Sequence, residues 1–430
     1  MNSSKALERS AASMQDCVRI SSYQWLTLMS AFLGWAFDSM DLNLFTLVLV
    51  PSVSELTGLH DPTAIARIGA SILAIKLLCW GMGGILFGVV ADRIGRSRTM
   101  IITIAIYAGF TGLSGLAQDW YQLAILQGLA GFGIGGEWAA GAALLAETWP
   151  EKHRARVMQV MQMAFAFGFF LAASSNLLLG PISWRWVLAS GALPAVVSLV
   201  IRRYVPEPER WVRVRAAEDD SVNALTTFKA IFAPDLRRVT IVGVLVASAS
   251  MIGCWGGLAL LPNWIQQLVR SSGASNGVQV VSYSFMLMMI GAVLGYASLI
   301  WLTELLGRRR CYFLFGVGAL LSSIYLFSSV SDLGTLQWFM LVYGFFVIGG
   351  FGTFAIYLPE LFPTRVRATG QGFCWNAARS ITAIGPLLVG TLITAFGSFP
   401  AAALATTGAY VLGLAAIWFG PETAGQRLRD

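Results

Sequence analysis

The sequence predicts an all-α membrane protein, with about twelve transmembrane helices in two six-helix repeats around a central cavity. Three observations predict it. Of the 430 residues, 56% are hydrophobic and only 12% charged, and the mean hydropathy is +0.68, too apolar for a soluble chain of this length. Apolar runs reach or approach the roughly 20 residues that cross about 30 Å of hydrocarbon as helix. Basic residues, finally, collect in alternate breaks between those runs.

The predicted spans are 25–50, 65–90, 99–117, 121–146, 157–180, 185–203, 238–262, 280–303, 311–330, 335–357, 367–393 and 400–419. Of the 29 Lys and Arg, all but Arg67, Lys76, Arg185, Arg270 and Arg379 fall at the two ends and in the breaks around 91–98, 150–156, 202–238, 304–310 and 364–367. That asymmetry predicts cytoplasmic termini, in a chain expected in the cytoplasmic (inner) membrane. It also accounts for the net charge of +7 without nucleic acid. Residues 1–22 are polar and the first apolar run is long, so no cleavable signal peptide is expected. Cys17, Cys79, Cys254, Cys311 and Cys374 form no C-x-x-C pair, so neither a disulfide framework nor a thiolate metal site is indicated. No cofactor is expected, and His60 and His153 lie outside the spans with no hydrolase motif near them, which argues against an enzyme.

Internal repetition comes next. GVVADRIGRSR (88–98) and LTELLGRRR (302–310) pair Asp92, Gly95 and Arg96 with Glu304, Gly307 and Arg308, 212 residues on. ETWPEKHRAR (147–156) and ELFPTRVR (360–367) pair Glu147, Pro150 and Arg156 with Glu360, Pro363 and Arg367. Pro206-Glu207 matches Pro421-Glu422. Matches at nearly one offset divide the chain into bundles 1–203 and 238–430 joined by a cytoplasmic linker, 204–237.

With Gly88, Asp92, Arg93, Gly95 and Arg96 in one loop, the chain resembles the major facilitator superfamily of secondary transporters over essentially its whole length. GFGIGGEWAAGAALLAE (131–147), LPELFPTRVRATGQGFCWNAAR (358–379) and PETAGQRL (421–428) resemble most the proton symporters for sialate, monocarboxylates and aromatic acids. Many of those relatives carry an arginine where this chain has Gln127, so that arginine's coupling role does not transfer and Lys76 becomes a candidate compensating cation.

The charged loops are candidates for a conformational latch. Asp92 and Arg96, four apart beside Arg93, can bind neighbouring helix ends. Arg308 and Glu304 repeat the motif. Glu147 is expected to pair with Arg154 or Arg156, and Glu360 with Arg365 or Arg367. The plainer alternative is a topology signal with surface ion pairs of little energy.

Inside the spans, Asp38, Asp41, Lys76, Glu137 and Arg379 each cost about 2.5–3.5 kcal/mol unless paired or wet. Their similar depths suggest one central site. Shifted by the repeat they meet Met251, Cys254, Met288, Gly350 and Ala166, so the duplicated architecture itself needs no charge there. Asp38 and Asp41 lie on neighbouring helix positions and are candidates for proton coupling with Glu137. Arg379 presents a fork suited to a carboxylate, with Asn376 on the same face. Lys76 is either a second anion contact or the partner of an aspartate. Trp35, Trp80, Trp138, Trp255 and Trp375 lie near this level, as cavity lining or as packing. The glycines 128, 131, 133, 135, 136 and 141 indicate close helix approach rather than a nucleotide loop.

The expectation is therefore a proton-coupled symporter for a small organic anion, monomeric in the bilayer. The rivals are a porter for a neutral solute such as a sugar, an aromatic-acid carrier, or a transport-like receptor.

Overall fold

The computed structural model describes residues 20–192, 196, 200, 203–217, 223–272 and 277–429. Helix α1 (Ser22–Thr57) opens on a capping box in which Ser21 and Gln24 satisfy each other's backbone N–H, and it closes on Gly58 in the left-handed region. In the first half of the chain follow α2 (Pro62–Ile94), α3 (Arg96–Ser114), α4 (Trp120–Thr148), α5 (Glu151–Leu179) and α6 (Trp184–Ser190). Short α7 (Glu209–Ala216) and α8 (Ala224–Ala230) fall in the predicted linker. The second half carries α9 (Arg237–Ser271), α10 (Gly277–Leu306), α11 (Arg308–Ser329), α12 (Leu333–Tyr343), α13 (Gly352–Leu361), α14 (Arg367–Thr382), α15 (Gly385–Phe396), α16 (Phe399–Thr407) and α17 (Ala409–Ala416).

Every predicted span but the sixth coincides with these helices. The sixth is described at its start and at 196, 200 and 203, and the rest of it, like Cys17, lies outside the described residues. Nine described helices are long and apolar enough to cross a membrane. The third span falls short because it begins on Arg96 and Arg98. The eleventh divides into α14 and α15 and carries Arg379. The tenth is continuous but irregular: a π-helical turn, Gly344–Ile348, and a 3-10 turn, Gly349–Phe351, link α12 to α13.

Within the first half α2 and α3 pack on α4, and α1 packs on α5. The most extensive contacts between the halves are those of α2 on α14 and of α5 on α10. The repeat superposes α2 on α10 and α5 on α14, so each contact is the image of the other. Glycine makes the first one close. A Cβ at Gly84 would strike the Asn376 side chain, and one at Gly88 would sit 2.7 Å from the Ala368 carbonyl oxygen. The α4 glycines act likewise, Gly131 against Lys76 and Gly135 against Trp80 and Gly84.

The repeated loop motif has a shared local cause. Gly95 (φ 114°) and Gly307 (φ 82°) turn the chain into α3 and α11 in a backbone region closed to other residues. Each new helix is then capped from a distance. The Glu207 carboxylate accepts from the amides of Arg96, Ser97 and Arg98, and Glu422 accepts from those of Arg308 and Arg309. The matching Pro-Glu pairs are thus helix N-caps supplied from elsewhere in the chain.

Candidate functional site

Between the loop motifs the halves are joined by two ion clusters. Arg96, fully buried, bonds the Glu147 carboxylate through Nε (3.0 Å) and Nη2 (2.8 Å) and pairs with Asp92 at 3.0 Å. Arg367 from the other half reaches the same Glu147 at 2.7 Å. In the repeat image Arg308 bonds Glu360 through Nε (3.1 Å) and Nη2 (3.0 Å), and Arg154 approaches Glu360 at 3.9 Å. Arg154 and Arg367 are 213 residues apart, as are Glu147 and Glu360. Each half therefore offers its carboxylate to the other half's arginine.

This corrects the expected partners. Glu147 takes Arg96 and Arg367, not Arg154 or Arg156, and Glu360 takes Arg308 and Arg154, not Arg365 or Arg367. Residues near in sequence lie in one loop, whereas the crossing of α2 on α14 and α5 on α10 brings opposite loops together. Asp92 also crosses, accepting from the amides of Ala368 (3.2 Å) and Thr369 (2.7 Å) at the start of α14. Its image Glu304 is half-exposed and meets Arg156 at 3.7 Å, a contact of small value. Arg93 is half-buried and stands outside the clusters. The end of the chain joins the first one, since the Arg429 carbonyl accepts from Arg367 Nη2 (2.9 Å) and the Thr364 amide (3.1 Å).

Two glutamines absent from the sequence-derived candidates form a second contact between halves. Gln159 Nε2 donates to the Gly352 carbonyl at 2.9 Å, and Gln371 Nε2 donates to the Ala139 carbonyl. Both are fully buried. Shifting Gln159 by the repeat offset lands on Gln371, which is the signal that would have found them.

Beyond these lie the charged side chains of the spans, and they separate rather than share one site. Lys76 Nζ bonds Asp41 Oδ2 at 2.7 Å and Gln127 Oε1 at 2.8 Å. Thr111 Oγ1 donates to Asp41 Oδ1, and Gln127 Nε2 donates to Ser114 Oγ at 3.0 Å. This cluster binds α1, α2, α3 and α4 together. Of the readings open for Lys76, the structure places it as the partner of Asp41. Glu137 accepts from Thr103 Oγ1 at 3.1 Å, facing α3.

Asp38 and Arg379 belong to a different group. Both are buried, and the Asp38 carboxylate acts electrostatically on the Arg379 guanidinium across the halves. That guanidinium stacks 3.6 Å above the Trp80 ring, with Trp375 at 5.8 Å. Trp375 in turn stacks on Trp138 at 4.5 Å with 17° between planes, and Trp138 lies 6.5 Å from Trp35. Trp138 Nε1 is held by Gln162. Arg379 Nε, Asn376 Oδ1, Trp35 Nε1 and Trp375 Nε1 are buried and have no hydrogen-bond partner among the described residues. Asn376 sits against Gly84, its Nδ2 bonded within α14 to the Gly372 carbonyl, and Trp255 is partly exposed. The result is a cation between indole faces with polar atoms still to be satisfied, a setting that can take a carboxylate in a bidentate bond and a flat group by stacking.

Helices crossing between repeat halves around buried charges, with exchanged ion pairs at one face, define a secondary transporter of small metabolites rather than an enzyme. The chain belongs to the Major Facilitator Superfamily, whose family model matches residues 25–383. Among curated relatives, one from Cupriavidus pinatubonensis named "Probable 4-methylmuconolactone transporter" is 32% identical over 405 residues, 93% of this chain and 91% of its own. The cis,cis-muconate transport protein of Acinetobacter baylyi is 27% identical over 384 residues, covering 87% and 89%. Among solved structures, the proton:xylose symporter XylE superposes with a TM-score of 0.77 at 18% identity, over 95% of this chain and 98% of that one, a likeness of fold.

Proposed function

We propose that the protein is a proton-coupled symporter that brings a small organic carboxylate across the cytoplasmic membrane by alternating access. Residues 1–203 and 238–430 rock as two bundles about the linker, with the loop motifs and both termini in the cytoplasm. The observation that carries this reading is Arg379 stacked on Trp80 within the field of Asp38. Proton uptake by Asp38 from the outward-open state removes its claim on Arg379 and leaves the guanidinium to the substrate carboxylate. Once the ion clusters part, loss of the proton to the cytoplasm restores the Asp38 charge, which competes with the substrate for Arg379 and favours release.

Asp41 and Lys76 then serve as a standing pair that holds the first bundle together, and Glu137 is a second protonation candidate. The indole surfaces favour a flat, unsaturated acid, and muconate, named for one relative, is such a carboxylate. The test is uptake into proteoliposomes of labelled mono-, di- and aromatic carboxylates and sugars, with and without an inward proton gradient. Carboxylate accumulation that rises with the gradient is expected. Uptake of sugars alone, or indifference to the gradient throughout, would sink the proposal.

A further inference from the structure

At the loop-motif end, where the second half of the chain begins, α9 starts with two adjacent arginines, Arg237 and Arg238. They stand at the mouth of a groove of about 300 Å³ between α9 and the last helical segment. The groove is otherwise apolar. Arg238, Ile241, Val242 and Leu245 follow one another at helical spacing along one side, and Ala416 and Phe419 form the other. Ile241 and Phe419 are more than half exposed, so the surface is not spent on packing within the chain.

The mouth is fixed rather than loose. Arg238 Nε donates to the Phe419 carbonyl at 3.1 Å. On the adjoining residue, Arg309 Nη2 donates to the Trp418 carbonyl at 2.9 Å, and its guanidinium lies 5.0 Å over the Trp418 ring. Two arginines therefore line one end of the groove, with Arg309 close by on Trp418, Asp235 the nearby acid in sequence and Glu422 held on the Arg309 amide. From Arg238 to Leu245 the apolar side runs about 10 Å along the helix, in the direction of the membrane interior.

A ligand that fits must carry negative charge at one end and hydrocarbon at the other. We propose that this groove is a binding site for an anionic phospholipid, its phosphate at Arg237 and Arg238 and the start of an acyl chain along Ile241, Leu245 and Phe419. A basic cleft between spanning helices at the surface is the setting in which such headgroups are held. The site is separate from Arg379 and does not rest on the identity of the cargo. A free phosphate would use the mouth alone and leave the apolar side unfilled, which separates the two sources of the same headgroup chemistry.

The experiment is native mass spectrometry of the full chain in nonionic detergent, titrated with dioleoylphosphatidylglycerol or dioleoylphosphatidylcholine. Wild type is expected to retain the anionic lipid selectively. Arg237→Gln with Arg238→Gln should weaken that adduct about tenfold or more, while Arg213→Gln with Lys229→Gln, an equal loss of charge on α7 and α8, should leave it in place. Ile241→Trp, which fills the groove and keeps both arginines, should weaken it as well, each variant first shown monodisperse with an unchanged thermal midpoint. Equal retention of the two lipids, equal loss in the control pair, or full retention of the anionic lipid by Ile241→Trp would overturn the proposal.

Discussion

Gln159 and Gln371, 212 residues apart, each donate a hydrogen bond to a backbone carbonyl of the opposite half, Gly352 and Ala139 respectively. The two acceptors are themselves repeat partners. Replacing either glutamine with leucine removes one buried hydrogen bond between the halves, at a cost of about 0.5–1.5 kcal/mol to the state seen here. The expected outcome is a shift toward the form open at the loop-motif face, read as faster maleimide labelling of a cysteine introduced at the fully buried Ala368. Unchanged labelling in both variants would show that the pair does not hold this face closed.

Glu147 and Glu304 should respond in opposite ways to amidation. Glu147→Gln leaves Arg96 and Arg367 buried around a neutral group, and disruption of such a cluster costs about 3–5 kcal/mol. Glu304→Gln removes a half-exposed contact at 3.7 Å, worth at most about 1 kcal/mol. Thermal unfolding in detergent should separate the two clearly. Equal midpoints would contradict the assignment of the buried clusters as the strong ones.

Arg379→Lys tests planar recognition. Lysine keeps the charge but has no fork and stacks poorly on Trp80, so it should restore little of the uptake lost in Arg379→Gln, with both variants down at least about tenfold in carboxylate affinity. Full rescue by lysine would mean that the site needs only a point charge.

Asp38→Asn and Asp41→Asn should differ in kind. The first is expected to retain exchange of carboxylate across the bilayer while losing its dependence on the proton gradient. The second leaves Lys76 buried without its counter-ion and should destabilise the fold, and adding Lys76→Met should recover the thermal midpoint. Loss of gradient dependence in a folded Asp41→Asn/Lys76→Met variant, with Asp38→Asn still coupled, would exchange the two roles.

Glu422 lies beyond the last span. Partial burial raises its pKa, but the amides of Arg308, Ala424, Arg309 and Thr423 outweigh burial and hold it below the ordinary carboxylate range. A depressed native pKa contributes stability that is complete above the unfolded value and is lost as pH falls through the folded one. Acid unfolding curves below about pH 4.5 should therefore be less steep in Glu422→Gln than in wild type. Superimposable acid limbs would remove this acid from the capping of α11.

The spans and the duplication are legible in the sequence because both depend on composition and on residues with few substitutes: glycine where φ is positive, arginine and glutamate where ends must be tied. Partners are harder to read. Glu147 points in sequence to Arg154, but the crossing helices deliver Arg367. Depth is readable from residue counts, while rotation about the helix is not, so Asp38 and Asp41 look like one pair until α1 turns Asp41 to Lys76 and leaves Asp38 under the influence of Arg379. Gln127 reads as a missing arginine, and in the fold it is the hydrogen-bond partner of the lysine that stands nearby. Gln159 and Gln371 give no signal singly and a clear one together.

The glycines of α2 have a mechanical consequence. Where Gly84 and Gly88 face α14, α2 offers no side chain of its own, so the Asn376 side chain and the Ala368 backbone lie directly on its main chain. Such a seam acts as a bearing: one helix can glide along the other with few rotamers to unlock, and resistance to opening is concentrated in the few polar ties at the rim. Sliding friction and latch strength are thereby assigned to different residues, and each can be altered without the other.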